Sequence, residues 1–303
     1  SSIVHRPSSI VRRFPFSCRK NPPMSIAESL PNSSHAAALV ARYGAAAPAA
    51  EGPWNAHLDL LLSHRSVRGY RSDPLPAGGL ESLVAAAQSA ATSSNLQVWS
   101  LVTVTDPRKK AALAEIAGGQ KHIEQCPVFL LWVADLARSQ RIGAAAGAEV
   151  AGTDYFETFL VAAIDAALAA QNTTVAAESL GLSTVYIGAM RNDPARVAEL
   201  VGLPAGTMVV FGLCVGYAAA GAKGEVKPRL PQEAVVFQET YGAVAESRML
   251  AAYDGEMAAF SARQGMADDT WTGRVLSRLG SVAGMKGRER LKEIVQALGF
   301  PIR

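Results

Sequence analysis

Cysteine is scarce in this chain, with three residues among 303. Cys18, Cys126 and Cys214 are too few and too widely spaced for a disulfide framework or a cysteine-based metal site. Cys126 and Cys214 lie in apolar stretches, so we expect buried, unreactive thiols there. This sparing use of cysteine favours a reducing, cytoplasmic location.

Long apolar runs and a strong charge imbalance are also missing. No run reaches the roughly 18 uninterrupted residues of a membrane-spanning helix, and the longest, 159–170, contains Asp165. The formal net charge is +3, but residues 1–24 carry five Arg or Lys and no acid, so removing these five charges from +3 leaves −2 for the rest. A slightly acidic body without a basic stripe excludes a nucleic-acid surface, and we expect no membrane partner either.

Familiar catalytic motifs are absent as well. The sequence contains no Walker phosphate loop, no G-x-G-x-x-G after a strand, and no H-E-x-x-H, C-x-x-C or G-x-S-x-G. The five histidines lack metal-ligand spacing, so we expect no metal site: they are His5, His35, His57, His64 and His122. Without a protein nucleophile or metal, the chemistry is expected to come from a bound cofactor.

The composition divides the chain into three parts. Residues 1–55 form an N-terminal arm rich in Pro, Ala and Ser, partly disordered or draped on a partner. Its first part, 1–23, is Arg- and Ser-rich, which fits either an organelle-targeting segment, which we do not favour, or an addition outside the natural protein. Residues 56–240 form the main domain and 241–303 a helical C-terminal excursion.

Hydrophobic periodicity predicts the elements of the main domain. Strands are expected at 98–105, 128–134, 183–187 and 208–215, with helices at 56–63, 78–91 and 155–180. Asp106-Pro107 and Asp193-Pro194 are typical helix starts, and Gly181 is a typical helix end. Helices are also expected at 242–263, 271–279 and 286–298. The fold class is α+β, with helices around a central mixed, mainly antiparallel sheet.

Two short cationic segments carry the main functional signal. One is His64-Arg65-Ser66-Val67-Arg68 and the other is Lys227-Pro228-Arg229-Leu230-Pro231. A guanidinium offers a planar fork of donors that fits phosphate oxygens, so we expect the two segments to meet around one phosphate. Either segment alone would be read as solvated surface, because most exposed Arg and Lys bind nothing.

Further motifs extend this signal into a family resemblance. They are TSSNLQVW (92–99), GGQKH (118–122), AQNTTVAAESLGLSTVYIGAMRND (170–193) and FGLCVGY (211–217). In this order the sequence from about 57 to 275 resembles the nitroreductase/flavin reductase superfamily, and it is most similar to the oxygen-insensitive, NADPH-dependent bacterial nitroreductases. The resemblance implies that the chain binds FMN at the subunit interface of a homodimer.

The resemblance also implies which residues bind FMN. The phosphate and ribityl chain would be held by His64, Arg65, Ser66, Arg68, Lys227 and Arg229. The flavin ring would be contacted by Gln120 and by the backbone of Tyr186, Ile187, Gly188 and Ala189, and, from the other subunit, by Ser93, Ser94 and Asn95. No side chain is expected to be catalytic, because the hydride passes through N5 of FMN. Gln171, Asn172 and Glu178 are expected to be polar residues of the core or dimer interface.

Two positions depart from the family pattern. Ala189 stands where relatives have a second glycine, and alanine tolerates positive φ poorly, which puts the local backbone and the flavin tuning in question. Arg263 matches an arginine that binds the 2′-phosphate of NADPH, but Ala267-Asp268 replaces a basic pair. An acid there should weaken phosphate binding, so we expect a reduced preference for NADPH, through dual use of both nucleotides or a preference for NADH.

The activity implied is an FMN-dependent NAD(P)H oxidoreductase. It would reduce nitroaromatics, quinones or free flavin by two electrons in a ping-pong scheme, with a small aromatic or quinone acceptor following the nucleotide in one pocket. A second hypothesis is a dedicated flavin reductase that supplies reduced FMN to a monooxygenase. A third is a flavin-binding dimer with little turnover.

Overall fold

The computed structural model describes residues 32–222, 224–242, 246–266 and 269–303. Its strands are β1 Trp99–Val104, β2 Val128–Asp135, β3 Ser183–Ile187 and β4 Thr207–Gly216. Its α-helices are α1 Asn32–Tyr43, α2 Ala56–Ser63, α3 Gly79–Gln88, α4 Pro107–Ile116, α5 His122–Gln125, α6 Ala137–Ala146, α7 Phe156–Ser179, α8 Pro194–Val201, α9 Glu246–Arg263, α10 Trp271–Leu279 and α11 Leu291–Ala297. The predicted segment 1–23 lies outside the described residues.

The four strands form one sheet in the order β1-β2-β4-β3. Each ladder between these strands is antiparallel, and the β2–β4 register shifts between Trp132 and Val133. A parallel bridge joins Ser66 to Thr184 beside β3. The α+β class and the mainly antiparallel central sheet predicted from the sequence are confirmed.

Helices cover both faces of this sheet. Strand β2 is buried at every position, as the sequence predicts for a central strand. Phe129 and Leu131 pack on one face with Leu113 of α4 and Val197 of α8. The other face carries the even-numbered side chains of β2, which pack against α3 and α7: the cluster includes Leu83, Leu130, Trp132, Ala166 and Ala169.

Helix α7 is the longest helix in the described part of the chain. Its sheet-facing side is lined by small residues, and Gly181, at φ +74°, ends it as predicted. By length and composition α7 could also cross a membrane, but 39% of its most apolar window is already buried inside the protein. Its opposite side exposes Phe156, Leu160, Ile164 and Leu168, each 41–52% accessible. The four-residue spacing puts these side chains on one stripe.

The predicted helix starts are confirmed. The Asp106 side chain accepts hydrogen bonds from the backbone N–H groups of Arg108 and Lys109, and Pro107 follows it. Asp193 caps α8 in the same way, accepting from the N–H of Arg196. Both carboxylates satisfy donors that a helix start leaves free.

The structure differs from the sequence analysis at both ends. Helix α1 lies within the expected arm and packs on α2. His35 stacks on Trp54, just before α2, with ring centroids 3.8 Å apart, and Leu39 is buried. Near the other end, the helix predicted at 286–298 begins only at Leu291. The reason is that Lys286 and Gly287 both have left-handed backbone, which a helix cannot accommodate.

Candidate functional site

The two cationic segments meet at a cavity of about 460 Å³. It lies where residues 64–68, residues 224–229 and helices α9 and α10 come together. Among the described residues, six basic side chains line it: Arg42, Arg65, Arg68, Lys227, Arg229 and Arg274. The meeting of the segments predicted from the sequence is therefore found, and Arg42 and Arg274 are additions that the sequence analysis missed.

Strand β3 positions the segment that follows α2. The N–H of Val67 donates to the carbonyl oxygen of Thr184 at 3.0 Å, and Val67 and Tyr70 are buried. Arg65 precedes the first anchor and Arg68 lies between the two, and both stay exposed. Both arginine side chains line the cavity.

The second segment is fixed through its proline and its backbone. Pro228 is buried, and its carbonyl accepts a hydrogen bond from the Tyr253 hydroxyl at 2.9 Å. The N–H of Arg229 donates to the carbonyl of Arg42 at 2.9 Å. The ammonium group of Lys227 lies 5.5 Å from the centre of the Phe260 ring, which favours a cation there.

Positive charge accumulates around this cavity. Burial, followed by the nearby Arg274, Arg68 and Arg229, holds the pKa of Lys227 below its ordinary value. Among the described lining residues the acid is Glu225, and it already pairs with Arg263 at 3.0 Å. Lysine loses affinity for its proton when like charges crowd it, so an anion in the cavity would relieve the repulsion.

His64 is held by an acid on α7. Its Nδ1 lies 2.6 Å from Oε1 of Glu178, and the Thr184 hydroxyl donates to the same oxygen at 3.4 Å. Glu178 therefore orients His64 at the cavity edge, beyond the general polar role expected for it. Asn172 donates to the carbonyl of Ala86, which fits the expected core role.

The predicted loop Ser93–Asn95 does not line the cavity. It has an unusual backbone, because Ser94, Asn95 and Gln97 all have positive φ, at a cost of about 1–3 kcal/mol each. The buried Asp165 of α7 fixes its start, accepting from the Thr92 hydroxyl at 2.5 Å and from the N–H of Ser93 at 3.2 Å. Such strain in an exposed loop, held by a buried carboxylate, is typical of binding loops.

Gln120 also lies outside the cavity lining. Gly118 and Gly119 both have φ of +79°, which only glycine adopts without strain, so they turn the chain sharply before Gln120. The Gln120 amide N–H donates to the carbonyl of Ala117 at 2.9 Å. Nearby, burial and then the charge of Arg68 hold the pKa of His122 below its ordinary value, which keeps that imidazole neutral.

The residues Tyr186–Ala189 end β3 and begin a 3₁₀ turn, Gly188–Asn192. Neither Gly188 nor Ala189 has positive φ. Alanine at 189 therefore causes no backbone strain, so the expected difficulty with the local backbone is wrong, while the effect on flavin tuning stays a prediction. Burial raises the pKa of Tyr186 to about 12, and its hydroxyl accepts from Thr174 at 3.2 Å.

Arg263 is exposed at the end of α9, and its Nε lies 3.0 Å from Oε2 of Glu225. Glu225 lines the cavity, so this ion pair stands at the cavity edge. Arg274 of α10 pairs with Asp269 at 2.7 Å. The departure predicted at Ala267-Asp268 lies outside the described residues.

Known proteins place this arrangement in a family. The Nitroreductase family matches residues 61–217, and the Nitroreductase family, C-terminal domain, matches residues 227–303. The chain belongs to the nitroreductase family. The two matches contain both cationic segments and α9–α11, so the cavity lining falls within regions that the family shares, except for Arg42, Gly224 and Glu225.

Curated nitroreductase relatives are similar over most of their length. FMN reductase (NADPH) of Bacillus subtilis is 36% identical over 81% of this chain and 98% of its own. Oxygen-insensitive NADPH nitroreductase of Salmonella typhimurium is 38% identical over 72% and 88%. NADPH-flavin oxidoreductase of Vibrio harveyi is 37% identical over 74% and 91%.

Solved nitroreductase structures agree in fold. NfrA1 of B. megaterium has a TM-score of 0.76 and 37% identity, covering 82% of this chain and all of its own. The NADPH:FMN oxidoreductase of Vibrio harveyi complexed with NAD⁺ has a TM-score of 0.72 and 34% identity, with the same coverage. The nitroreductase fold predicted from the sequence is confirmed.

The cavity suits the phosphate of the cofactor expected in this family. Several guanidinium groups, one ammonium and the hydroxyl of Ser66 line the same space. A phosphomonoester carries nearly two negative charges and accepts several hydrogen bonds, which matches this donor set. Arg274, Arg68 and Arg229 add to burial in lowering the pKa of Lys227, so an anion bound among these cations would be stabilised.

Proposed function

We propose that this chain is an FMN-dependent NAD(P)H oxidoreductase that reduces small aromatic or quinone acceptors by two electrons. The observation that carries the proposal is the cavity at which residues 64–68 and 227–229 meet. The names of its relatives support it, because they include NADPH-dependent FMN reductases and nitroreductases. A cytoplasmic location stays a prediction.

At the phosphate end, the chain binds by charge and by geometry. Arg65, Arg68, Lys227 and Arg229 would hold the phosphate, with Ser66 as a neutral donor and His64, held by Glu178, beside them. When bound, FMN supplies two-electron redox chemistry, accepting a hydride equivalent from NAD(P)H and delivering it to the acceptor. The protein contributes position and electrostatic stabilisation, as in other cofactor enzymes.

At the flavin ring of FMN, most of the expected contacts come from backbone groups. The N–H groups from Ile187, the last residue of β3, to Ala189 would stabilise the charge that develops on reduction. The Gln120 side chain would offer its amide to the ring edge. The loop Ser93–Asn95 would complete the site from a second subunit, as the family resemblance implies.

A homodimer follows from this division of the site. The exposed apolar stripe of α7 gives the dimer a surface, because Phe156, Leu160, Ile164 and Leu168 stand on one side of one helix. Contiguous apolar surface of this kind marks protein interfaces. Nitroaromatics, quinones and free flavin are the acceptor classes, and a chromium(VI) reductase of Pseudomonas is 35% identical over 98% of its length.

The test is an anaerobic absorbance titration of the purified protein with NADPH and, separately, with NADH. The proposal expects a flavin spectrum that either nucleotide bleaches and that a nitroaromatic or quinone restores. A colourless protein that FMN cannot reconstitute would contradict it. Flavin that neither nucleotide bleaches would favour a binding dimer without turnover.

A dedicated flavin reductase is the second candidate, and the names of two relatives favour it. Steady-state turnover with free FMN and with a nitroaromatic separates the two functions. A much higher kcat/KM for free FMN identifies the flavin reductase. Parallel double-reciprocal plots are expected in either case, because nucleotide and acceptor use one pocket in turn.

A further inference from the structure

Arg42, on the last turn of α1, makes an unusual set of contacts. Its Nη1 donates to the carbonyl of Lys227 at 2.8 Å. Its Nη2 donates to the carbonyls of Leu62 at 2.6 Å and His64 at 2.9 Å. One guanidinium therefore ties the first cationic segment to the second, and Arg42 itself lines the cavity between them.

The backbone of Arg42 adds a fourth link, because its carbonyl accepts the N–H of Arg229 at 2.9 Å. The side chain is 6% exposed, so its hydrogen bonds are shielded from competing water. Burial, and then the charge of Arg229, lowers the pKa of Arg42. Burying the charged guanidinium of Arg42 at this position therefore costs free energy.

Helix α1 is fixed at both ends, which holds Arg42 in place. At its start the Ser34 hydroxyl donates to Asp59 of α2 at 3.2 Å. Just past its end the N–H of Ala45 donates to Glu256 of α9 at 3.1 Å. The arginine is therefore mounted on an element that spans from α2 to the C-terminal helices.

Arg42 lies outside both family matches. The Nitroreductase family match begins at residue 61. The FMN reductase of B. subtilis uses 98% of its length to match 81% of this chain, so this chain has segments without a counterpart there. Helix α1 stands upstream of the shared region, yet it reaches the most charged part of the site.

We propose that Arg42 is a positioning residue for the phosphate of FMN, and that α1 is a functional addition to the nitroreductase domain rather than a passive arm. The inference rests on the proposed function. The fork sets the distance between Arg65 and Arg68 on one side and Lys227 and Arg229 on the other. It also adds one positive charge to the wall that faces the phosphate. The planar fork matters, because an ammonium group cannot span carbonyls of two segments in the same way.

The test compares two flavins that differ only in the phosphate. Dissociation constants of FMN and riboflavin are measured by flavin fluorescence with the full-length apoprotein, wild type and Arg42→Met. We expect the FMN dissociation constant to rise about 10- to 100-fold, as for loss of charged hydrogen bonds, while riboflavin binding stays close to wild type. Arg42→Lys is expected to fall between the two, because it keeps the charge and loses the fork.

Lys110→Met is the matched control. Lys110 is also buried, and its ammonium group also donates to two backbone carbonyls, those of Glu124 at 2.9 Å and Cys126 at 2.7 Å, but it does not line the cavity. Its loss should lower the melting temperature and leave the ratio of the two dissociation constants unchanged. Should Arg42→Met fail to fold, the ratio measured for Arg42→Lys decides.

The outcomes separate this inference from the proposed function. Equal weakening of FMN and riboflavin, an unchanged ratio in both Arg42 variants, or the same loss in Lys110→Met would overturn the role of Arg42. An FMN dissociation constant in Arg42→Lys equal to that of the wild type would overturn the role of the planar fork. If the wild-type protein binds FMN no more tightly than riboflavin, that result would instead contradict the phosphate site itself. It would contradict the proposed function as well.

Discussion

Lys227 shows how neighbouring residues change the chemistry of one side chain. It lies in a motif that the sequence makes visible, but the cause of its lowered pKa is spatial: burial first, then Arg274, Arg68 and Arg229. A lowered pKa means that the ammonium group loses its proton at a lower pH than an ordinary lysine does. The affinity of the cavity for an anion should therefore fall as Lys227 loses its proton.

We therefore expect the FMN dissociation constant to rise at alkaline pH, beginning below the ordinary titration range of lysine. The ammonium is present below its pKa and lost above it, so binding weakens as the pH rises. The measurement is FMN binding by fluorescence across the alkaline range. Lys227→Met should bind more weakly at neutral pH and lose this dependence, whereas Lys292→Met, an exposed site, should keep it. The same alkaline weakening in Lys227→Met would contradict the assignment.

The pair Glu225–Arg263 concerns the choice of nucleotide. At 3.0 Å, Glu225 neutralises the arginine expected to bind the 2′-phosphate of NADPH. Glu225→Gln should raise kcat/KM for NADPH relative to NADH by about two- to fivefold, the range of an exposed ion pair. Initial rates with each nucleotide measure this ratio. Glu115→Gln, which frees Arg196 from an equivalent exposed pair at 2.8 Å, should leave it unchanged; equal shifts in both variants would point to a general effect of charge.

Among the elements, α7 and the loop at 92–97 depend on each other. Asp165 stands where the apolar pattern of α7 is interrupted, and its two oxygens accept from Thr92 and from the backbone of Ser93. The polar residue that breaks the run is therefore the anchor of a strained loop. This is the signal by which the sequence could have linked α7 to that loop.

Replacing this carboxylate should destabilise the protein. In Asp165→Asn the amide offers one acceptor instead of two and places an N–H beside a donor, so the free energy of unfolding should fall by about 1–3 kcal/mol. Urea denaturation followed by circular dichroism measures the change. Glu157→Gln, on the exposed side of the same helix, should have little effect. A loss as large in Glu157→Gln would show that the charge of the helix matters rather than the anchor.

The limits of sequence prediction also appear at this scale. Helix α2 and strand β3 are predicted to the residue, because their caps and periodicity are local signals. The partners of Arg42 cannot be predicted in that way: Lys227 is 185 residues distant, and α1 is an Ala-rich segment with no motif. The backbone at Ala189 likewise depends on the turn that follows β3 and not on the residue alone.

For the whole molecule, the exposed stripe of α7 should decide the association state. Ile164→Glu places a charge in the middle of that stripe and should convert a dimer into monomers, since burying an unpaired carboxylate is strongly unfavourable. Sedimentation velocity at micromolar concentration measures the outcome. Leu279→Glu, an exposed leucine at the end of α10, is the matched control and should remain dimeric. A dimeric Ile164→Glu would place the interface elsewhere.

The contact between Arg42 and Lys227 also determines when, during synthesis of the chain, the cavity can form. These residues are 185 positions apart, and a ribosome adds about 5–20 residues per second. Roughly 10 to 40 s therefore pass between the synthesis of the fork and the synthesis of the segment it holds. Throughout that interval the nascent chain lacks the second cationic segment, so the anion site is incomplete. Flavin capture is thus a late event, which follows synthesis of at least the first 227 of the 303 residues.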